Sequence, residues 1–253
     1  MQIIPLPAFS DNYIWLIREG RHAVVVDPGD AAPVLDYLER NRLELAAILV
    51  THHHADHVGG LDTLVSGREL PVYGPRREAI PGVNFPLDDH DRISVPEIGL
   101  EFEIIDVPGH TRGHIAYYTR DHLFCGDTLF CAGCGRIFEG TPDQLNASLQ
   151  RLAALPTETR VYCTHEYTLS NLRFAAAAEP DNPLRDAFLA ECERLRADGK
   201  PTLPSTIGRE LDINPFLRCD EPGVRNSAIK QAGRPLPEPA AVFAVLREWK
   251  NHF

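Results

Sequence analysis

The densest chemistry in the chain lies in Thr51-His52-His53-His54-Ala55-Asp56-His57. Imidazole nitrogen and carboxylate oxygen together suit zinc, iron or manganese. The segment directly follows Ala46–Thr51 (AAILVT), an apolar run that reads as a strand buried on both faces. His52 and His54 are two apart as the chain leaves that strand, so their side chains point to the same side, while His53 alternates away. Asp56 and His57 follow where a helix can begin, through Val58-Gly59-Gly60. The spacing H-x-H-x-D-H offers four ligands in six residues. That is too crowded for one tetrahedral ion and suits two neighbouring ions.

Two ions need further donors, and the chain offers three in a recurring context. His110 lies in Pro108-Gly109-His110-Thr111 after the strand EFEIIDV. Asp127 lies in Cys125-Gly126-Asp127-Thr128 after HLF, and His165 lies in Cys163-Thr164-His165-Glu166 after VY. Each sits just past a predicted strand, which gathers all of them on one side of the sheets. His114 is a candidate neighbour of such a site; His22, His90, His122 and His252 read as surface residues.

The elements that must position these residues make an α/β pattern. Strands are predicted at His22–Asp27, Ala46–Thr51, Phe102–Val107, Ile115–Thr119, His122–Cys125 and Arg160–Cys163. Asp30 caps a predicted helix over Ala31–Asn41. Thr141-Pro142-Asp143-Gln144 is a helix start with N-cap, first-turn proline and capping box, running to about Leu155. After Thr164 the character changes to helices: Glu166–Ala178, a second capped by Asn182-Pro183 and running to about Arg196, and Ala240 to Phe253. Between the last two lies a Pro- and Gly-rich passage, Gly199–Pro239. The expected division is residues 1–165 as the catalytic domain and 166–253 as a small helical substrate-binding domain.

Composition narrows the function classes. Of 253 residues, 43% are hydrophobic and 24% charged, an ordinary globular balance. The formal net charge of −11 argues against nucleic acid or an anionic membrane surface as a partner. No apolar run approaches the roughly 18 residues a membrane span needs. The N-terminus lacks the marks of a signal peptide, so the expected location is the cytoplasm. The six cysteines are expected to be free thiols, and the Cys131-x-x-Cys134 pair lacks the second pair a zinc ribbon needs.

HHHADH, PGHTRGH, FCGDTLF and YCTHEY together resemble the metallo-β-lactamase superfamily. Within it the likeness is to the hydroxyacylglutathione hydrolase (glyoxalase II) family. Asp11-Asn12-Tyr13, Gly133-Cys134-Gly135-Arg136, Phe138-Glu139-Gly140-Thr141, Asn214-Pro215-Phe216-Leu217-Arg218 and the ending Arg247-x-x-Lys250-Asn251-x-Phe253 carry it over nearly the whole chain. The resemblance implies an αβ/βα four-layer sandwich with a small helical C-terminal domain. It implies two divalent metal ions, zinc foremost, with iron or manganese as alternatives. His52, His54 and His110 would hold the first, and Asp56, His57 and His165 the second. Asp127 would bridge them, with Asp56 and Asp127 also orienting the attacking water. The implied substrate is a glutathione thioester, S-D-lactoylglutathione, hydrolysed to D-lactate and glutathione in methylglyoxal detoxification, by a monomer. Arg136, Phe138, Tyr167, Arg247 and Lys250 would receive it. Phe138 stands where the family often has Tyr, which removes one hydroxyl donor. A nuclease of the same superfamily would want a basic surface or an added substrate arm, and the net charge of −11 argues against it.

Overall fold

The computed structural model describes residues 1–253, and they divide into two units. The first comprises Met1–Asp106 with Arg112–Gly126. It opens with β1 (Gln2–Ala8), β2 (Asn12–Glu19) and β3 (His22–Val26), paired antiparallel in succession. Helix α1 (Ala31–Asn41) then crosses over to β4 (Glu44–Leu49), which pairs parallel with β3. The predicted cap holds: the Asp30 carboxylate accepts from Ala32 N at 2.9 Å. Two short helices, α2 (Ala55–Val58) and α3 (Leu61–Val65), precede β5 (Val72–Pro75) and β6 (Phe85–Leu87), both parallel to their neighbours. The sheet order is therefore β1-β2-β3-β4-β5-β6.

One face of this sheet buries Ile14, Leu16, Val25 and Ile48 against Val34 and Leu38 of α1 and Leu64 of α3. The run AAILVT reads as continuously apolar because β4 is a central strand, enclosed between β3 and β5. An antiparallel meander follows, β7 (Arg92–Val95), β8 (Leu100–Asp106), β9 (Ile115–Thr119) and β10 (His122–Gly126). His122 is buried at 8% exposure, which corrects its reading as a surface residue. It opens β10, every residue of which is buried.

The second unit comprises Val107–Thr111 with Asp127–Phe253. A two-residue turn joins β11 (Leu129–Phe130) to β12 (Gly133–Cys134) in a hairpin. Helix α4 (Pro142–Ala153) starts on the predicted capping box: Gln144 N donates to Thr141 Oγ1 at 3.2 Å and Thr141 N to Gln144 Oε1 at 3.0 Å. Strand β13 (Arg160–Cys163) is followed by α5 (Thr168–Ala178) and α6 (Pro183–Ala197), the latter capped by Asn182. The passage 199–239 is not one long loop. It holds β14 (Ser205–Thr206), α7 (Ile207–Ile213) and α8 (Pro222–Ala232) before α9 (Pro239–Asn251). Its prolines and glycines sit at helix boundaries: Pro222 in the first turn of α8 and Gly233 left-handed at its end, with φ 66°.

Candidate metal centre

Parallel strands place their ligand-bearing loops beyond their carboxyl ends, and β3 and β4 end side by side, Val26 opposite Leu49. Asp27 follows the first and Thr51 to His57 follow the second. Asp27 is buried and left-handed at φ 52°. Its carboxylate accepts from Thr51 N and Thr51 Oγ1, both at 2.8 Å, and lies 3.0 Å from His57 Nδ1. Since Thr51 Oγ1 donates to Asp27, its oxygen accepts from His52 Nδ1 at 3.1 Å. The His52 ring therefore carries its proton on Nδ1, a tautomer inferred from the network, and the carboxylate beside His57 Nδ1 favours the same tautomer there, which leaves Nε2 as the lone-pair nitrogen.

The rings gather as the alternation requires. Ring centres of His52 and His54 are 4.6 Å apart, and those of His52 and His57 4.0 Å. His114 is fully buried and stacks on His52 at 4.5 Å. His53 faces elsewhere: its Nδ1 and backbone N–H both reach the Glu78 carboxylate, at 2.8 and 2.6 Å. Asp56 accepts from Asn12 Nδ2 at 3.0 Å. Gly29 has no room for a side chain, because a Cβ there would lie 1.8 Å from the Asp56 carbonyl oxygen.

In the second unit Asp127 stands beside two histidines. Its Oδ2 lies 3.5 Å from His110 Nε2 and 3.3 Å from His165 Nε2. His110 donates from Nδ1 to the Arg136 carbonyl at 2.7 Å, so its Nε2 is again the lone-pair nitrogen. His165 stacks on Tyr167 with ring centres 4.7 Å apart, and Phe138 meets His110 edge-on at 5.3 Å. Phe138 and Tyr167 are exposed, at 63% and 37%.

Of the seven donors the sequence singled out, His52, His54, Asp56 and His57 stand together in the first unit, and His110, Asp127 and His165 stand together in the second. Their nitrogen and oxygen chemistry fits divalent ions of the zinc, iron and manganese kind.

The five expected substrate contacts differ in setting. Arg136 is exposed. Arg247 is buried at 4% exposure, donating from Nη1 to the carbonyls of Cys134 and Gly135 at 2.9 and 3.2 Å. It does not stand with Lys250 on a solvated helix face, although its Nε–H has no partner. Lys250 is half-buried, donates to the Ser170 carbonyl at 3.3 Å and lies 5.2 Å from the Phe174 ring centre. Burial, then Arg247 and Arg136, push its ammonium down to about 8. The Cys131 and Cys134 thiols are buried and pushed up, chiefly by burial, so neither is a reactive thiolate. Three residues that hold the candidate ligands or their loop were given no role from the sequence: Asn12, Asp27 and Glu78. Asp27 had a signal, a lone acid between a strand and Pro28-Gly29.

Residues 8–165 match the metallo-β-lactamase superfamily model, and the architecture and His/Asp cluster are those of that fold. Residues 166–253 match the hydroxyacylglutathione hydrolase C-terminus. Over its full length the chain is 57% identical to a hydroxyacylglutathione hydrolase from Chromohalobacter salexigens, covering 100% of both chains. It belongs to the hydroxyacylglutathione hydrolase family. Among solved structures, ETHE1 from Myxococcus xanthus superposes with TM-score 0.67 at 27% identity, over 99% of this chain and 98% of that one. A protein solved in a di-iron-bound form superposes with TM-score 0.61 at 29% identity, over 85% of this chain and 100% of that one.

Proposed function

We propose that the protein hydrolyses 2-hydroxyacyl thioesters of glutathione, S-D-lactoylglutathione foremost, to the 2-hydroxy acid and glutathione. The observation that carries this reading is the complete seven-donor set, with Asp127 standing beside both His110 and His165. Zinc is the favoured ion, and iron or manganese suits the same donors. Two such ions, when bound, supply Lewis acidity and a water acidic enough to attack near neutral pH.

The chain's own residues do the rest. His52, His54 and His110 would hold one ion, Asp56, His57 and His165 the other, and Asp127 would serve both. The Nδ1 bonds of His52 to Thr51 and of His110 to the Arg136 carbonyl, with the Asp27 carboxylate beside His57 Nδ1, orient the rings. The leaving group is a thiol of ordinary pKa near 8.5, which departs as thiolate without a general acid. No acid beyond the ligand set is therefore required. Arg136 and Lys250 would receive the carboxylates of glutathione, with the buried Arg247 adding positive charge behind them, and Tyr167 offers a hydroxyl. Residues 1–165 act as the catalytic region and 166–253 as the substrate-binding region.

The test is a three-substrate comparison: a glutathione thioester, nitrocefin and a phosphodiester, each with protein of measured metal content. Fast turnover of the thioester alone, with metal approaching two ions per chain, is the expected result. Preferential turnover of either other substrate would sink the reading.

A pH prediction arises from Lys250. A depressed ammonium holds its charge below about 8 and loses it above, so its grip on a carboxylate fades as pH rises through that value. KM for the glutathione thioester should climb by up to about tenfold between roughly pH 7 and 9, the size of one charge-assisted hydrogen bond. Lys250→Arg should flatten that rise. A wild-type KM that is level across the range would show that Lys250 does not meet the substrate.

A further inference from the structure

The hairpin that follows Asp127 is held in an unusual way. Two-residue turns ordinarily face solvent, yet every residue from Leu129 to Gly135 is buried. Ala132 adopts φ 54°, a left-handed conformation that costs a non-glycine residue of order 1 kcal/mol or more. Side chains from three helices bind the backbone of the tip. Glu210 of α7 accepts from Ala132 N at 2.7 Å. Asn214, just past α7, donates from Nδ2 to the carbonyls of Phe130 at 3.3 Å and Gly133 at 2.9 Å. Asn171 of α5 donates to the Cys131 carbonyl at 3.0 Å, and Arg247 of α9 holds those of Cys134 and Gly135.

Glu210 ties the cradle together. It is fully buried, takes a second bond from Asn214 Nδ2 at 2.9 Å, and is bonded by Ser205 Oγ. Burial, the largest influence on it, raises its carboxyl above the usual range.

The far ends of the hairpin touch the candidate metal ligands. Asp127 leads directly into it. A Cβ on Gly135 would sit 1.9 Å from the Asp127 carbonyl oxygen and 3.2 Å from His110 Nδ1, so the chain returns against both ligands. One residue later the Arg136 carbonyl takes the His110 Nδ1 proton.

We infer that Glu210 is a positioning residue for the metal centre: by fixing the Cys131–Ala132 turn it sets the angle of Asp127 and the ring orientation of His110. The inference rests on reading those two residues as metal ligands. It gives the C-terminal helices a part in metal retention that is separate from substrate binding, and it gives the C-x-x-C turn a place in the fold that needs no thiol chemistry.

The test uses the full-length protein loaded with cobalt(II), whose visible spectrum reports ligand geometry. Glu210→Ala should release cobalt to a chelator at least tenfold faster than wild type and shift its spectrum. Glu210→Gln keeps a carbonyl oxygen for Ala132 and Asn214 and an amide for Ser205, so it should recover most of both properties. Val224→Ala, in the buried face of α8, serves as a control for loss of stability without loss of the cradle. Should Glu210→Ala not fold, Asn171→Ala removes one bond to the tip and should still speed release about threefold. If these variants release cobalt no faster than the Val224→Ala control and keep the wild-type spectrum, the inference is wrong. If wild type takes up no cobalt, the metal reading itself fails first.

Discussion

Alanine at position 127 will lower kcat/KM for the thioester by about 10³-fold or more, the upper range seen when one preorganised electrostatic contact is removed from an active site. The reason is local. Asp127 Oδ2 lies 3.5 Å from His110 Nε2 and 3.3 Å from His165 Nε2, so one carboxylate serves donors of both candidate ions. Its loss removes a ligand oxygen and an anion that offsets two dications. Metal content measured on the purified variant should fall with activity. Asp127→Asn keeps an oxygen and loses the charge, so it should fall between the two. An alanine variant that keeps both ions and near-normal turnover would falsify the shared-ligand assignment.

The second large effect is expected at Asp27, which touches no substrate. Its carboxylate holds Thr51 N, Thr51 Oγ1 and His57 Nδ1 together. Asp27→Ala should weaken metal affinity about 10- to 100-fold, as loss of a partner behind a metal ligand does elsewhere. It should also lower stability by about 1–3 kcal/mol, because the buried Thr51 amide is left unpaired. Asp27→Asn separates these effects. Its oxygen can still accept from Thr51 N, which preserves the fold. Its amide then points a donor at His57 Nδ1, and the imidazole must take the opposite tautomer with a protonated Nε2. Chelator competition should therefore show weak binding in a protein of near-normal melting temperature. Equal affinity for the asparagine variant and wild type would show that His57 does not depend on Asp27.

The sequence made some of this visible and hid the rest for identifiable reasons. Strand periodicity and capping signals are local, and they placed α1, the start of α4 and six of the fourteen strands within a residue or two. The candidate metal donors stood out because their types are rare together and their spacing matches the alternation of a chain leaving a strand. Helices α7 and α8 were not. Their prolines and glycines mark ends rather than a loop, and a seven-residue helix such as α7 leaves little periodicity to read. Arg247 shows a third limit. Its i, i+3 relation to Lys250 is real, but which way a helix face turns is a tertiary fact. The guanidinium points inward, 5.2 Å from the Phe216 ring centre, and is spent mostly on the chain itself. Asn12, Asp27 and Glu78 act at distances of 44, 30 and 25 residues from the ligands or ligand loop they hold, beyond any local pattern.

A tight turn is usually where a chain tolerates novelty: insertions collect there, proteases cut there, and its amides trade protons with water within moments. The Cys131–Ala132 turn has given up that freedom. With the Ala132 amide committed to Glu210, the Cys131 carbonyl to Asn171 and the flanking Phe130 and Gly133 carbonyls to Asn214, one extra residue would disrupt that set of bonds. Descendants of this sequence that seek a new substrate must lengthen other loops, and this segment should stay constant in length.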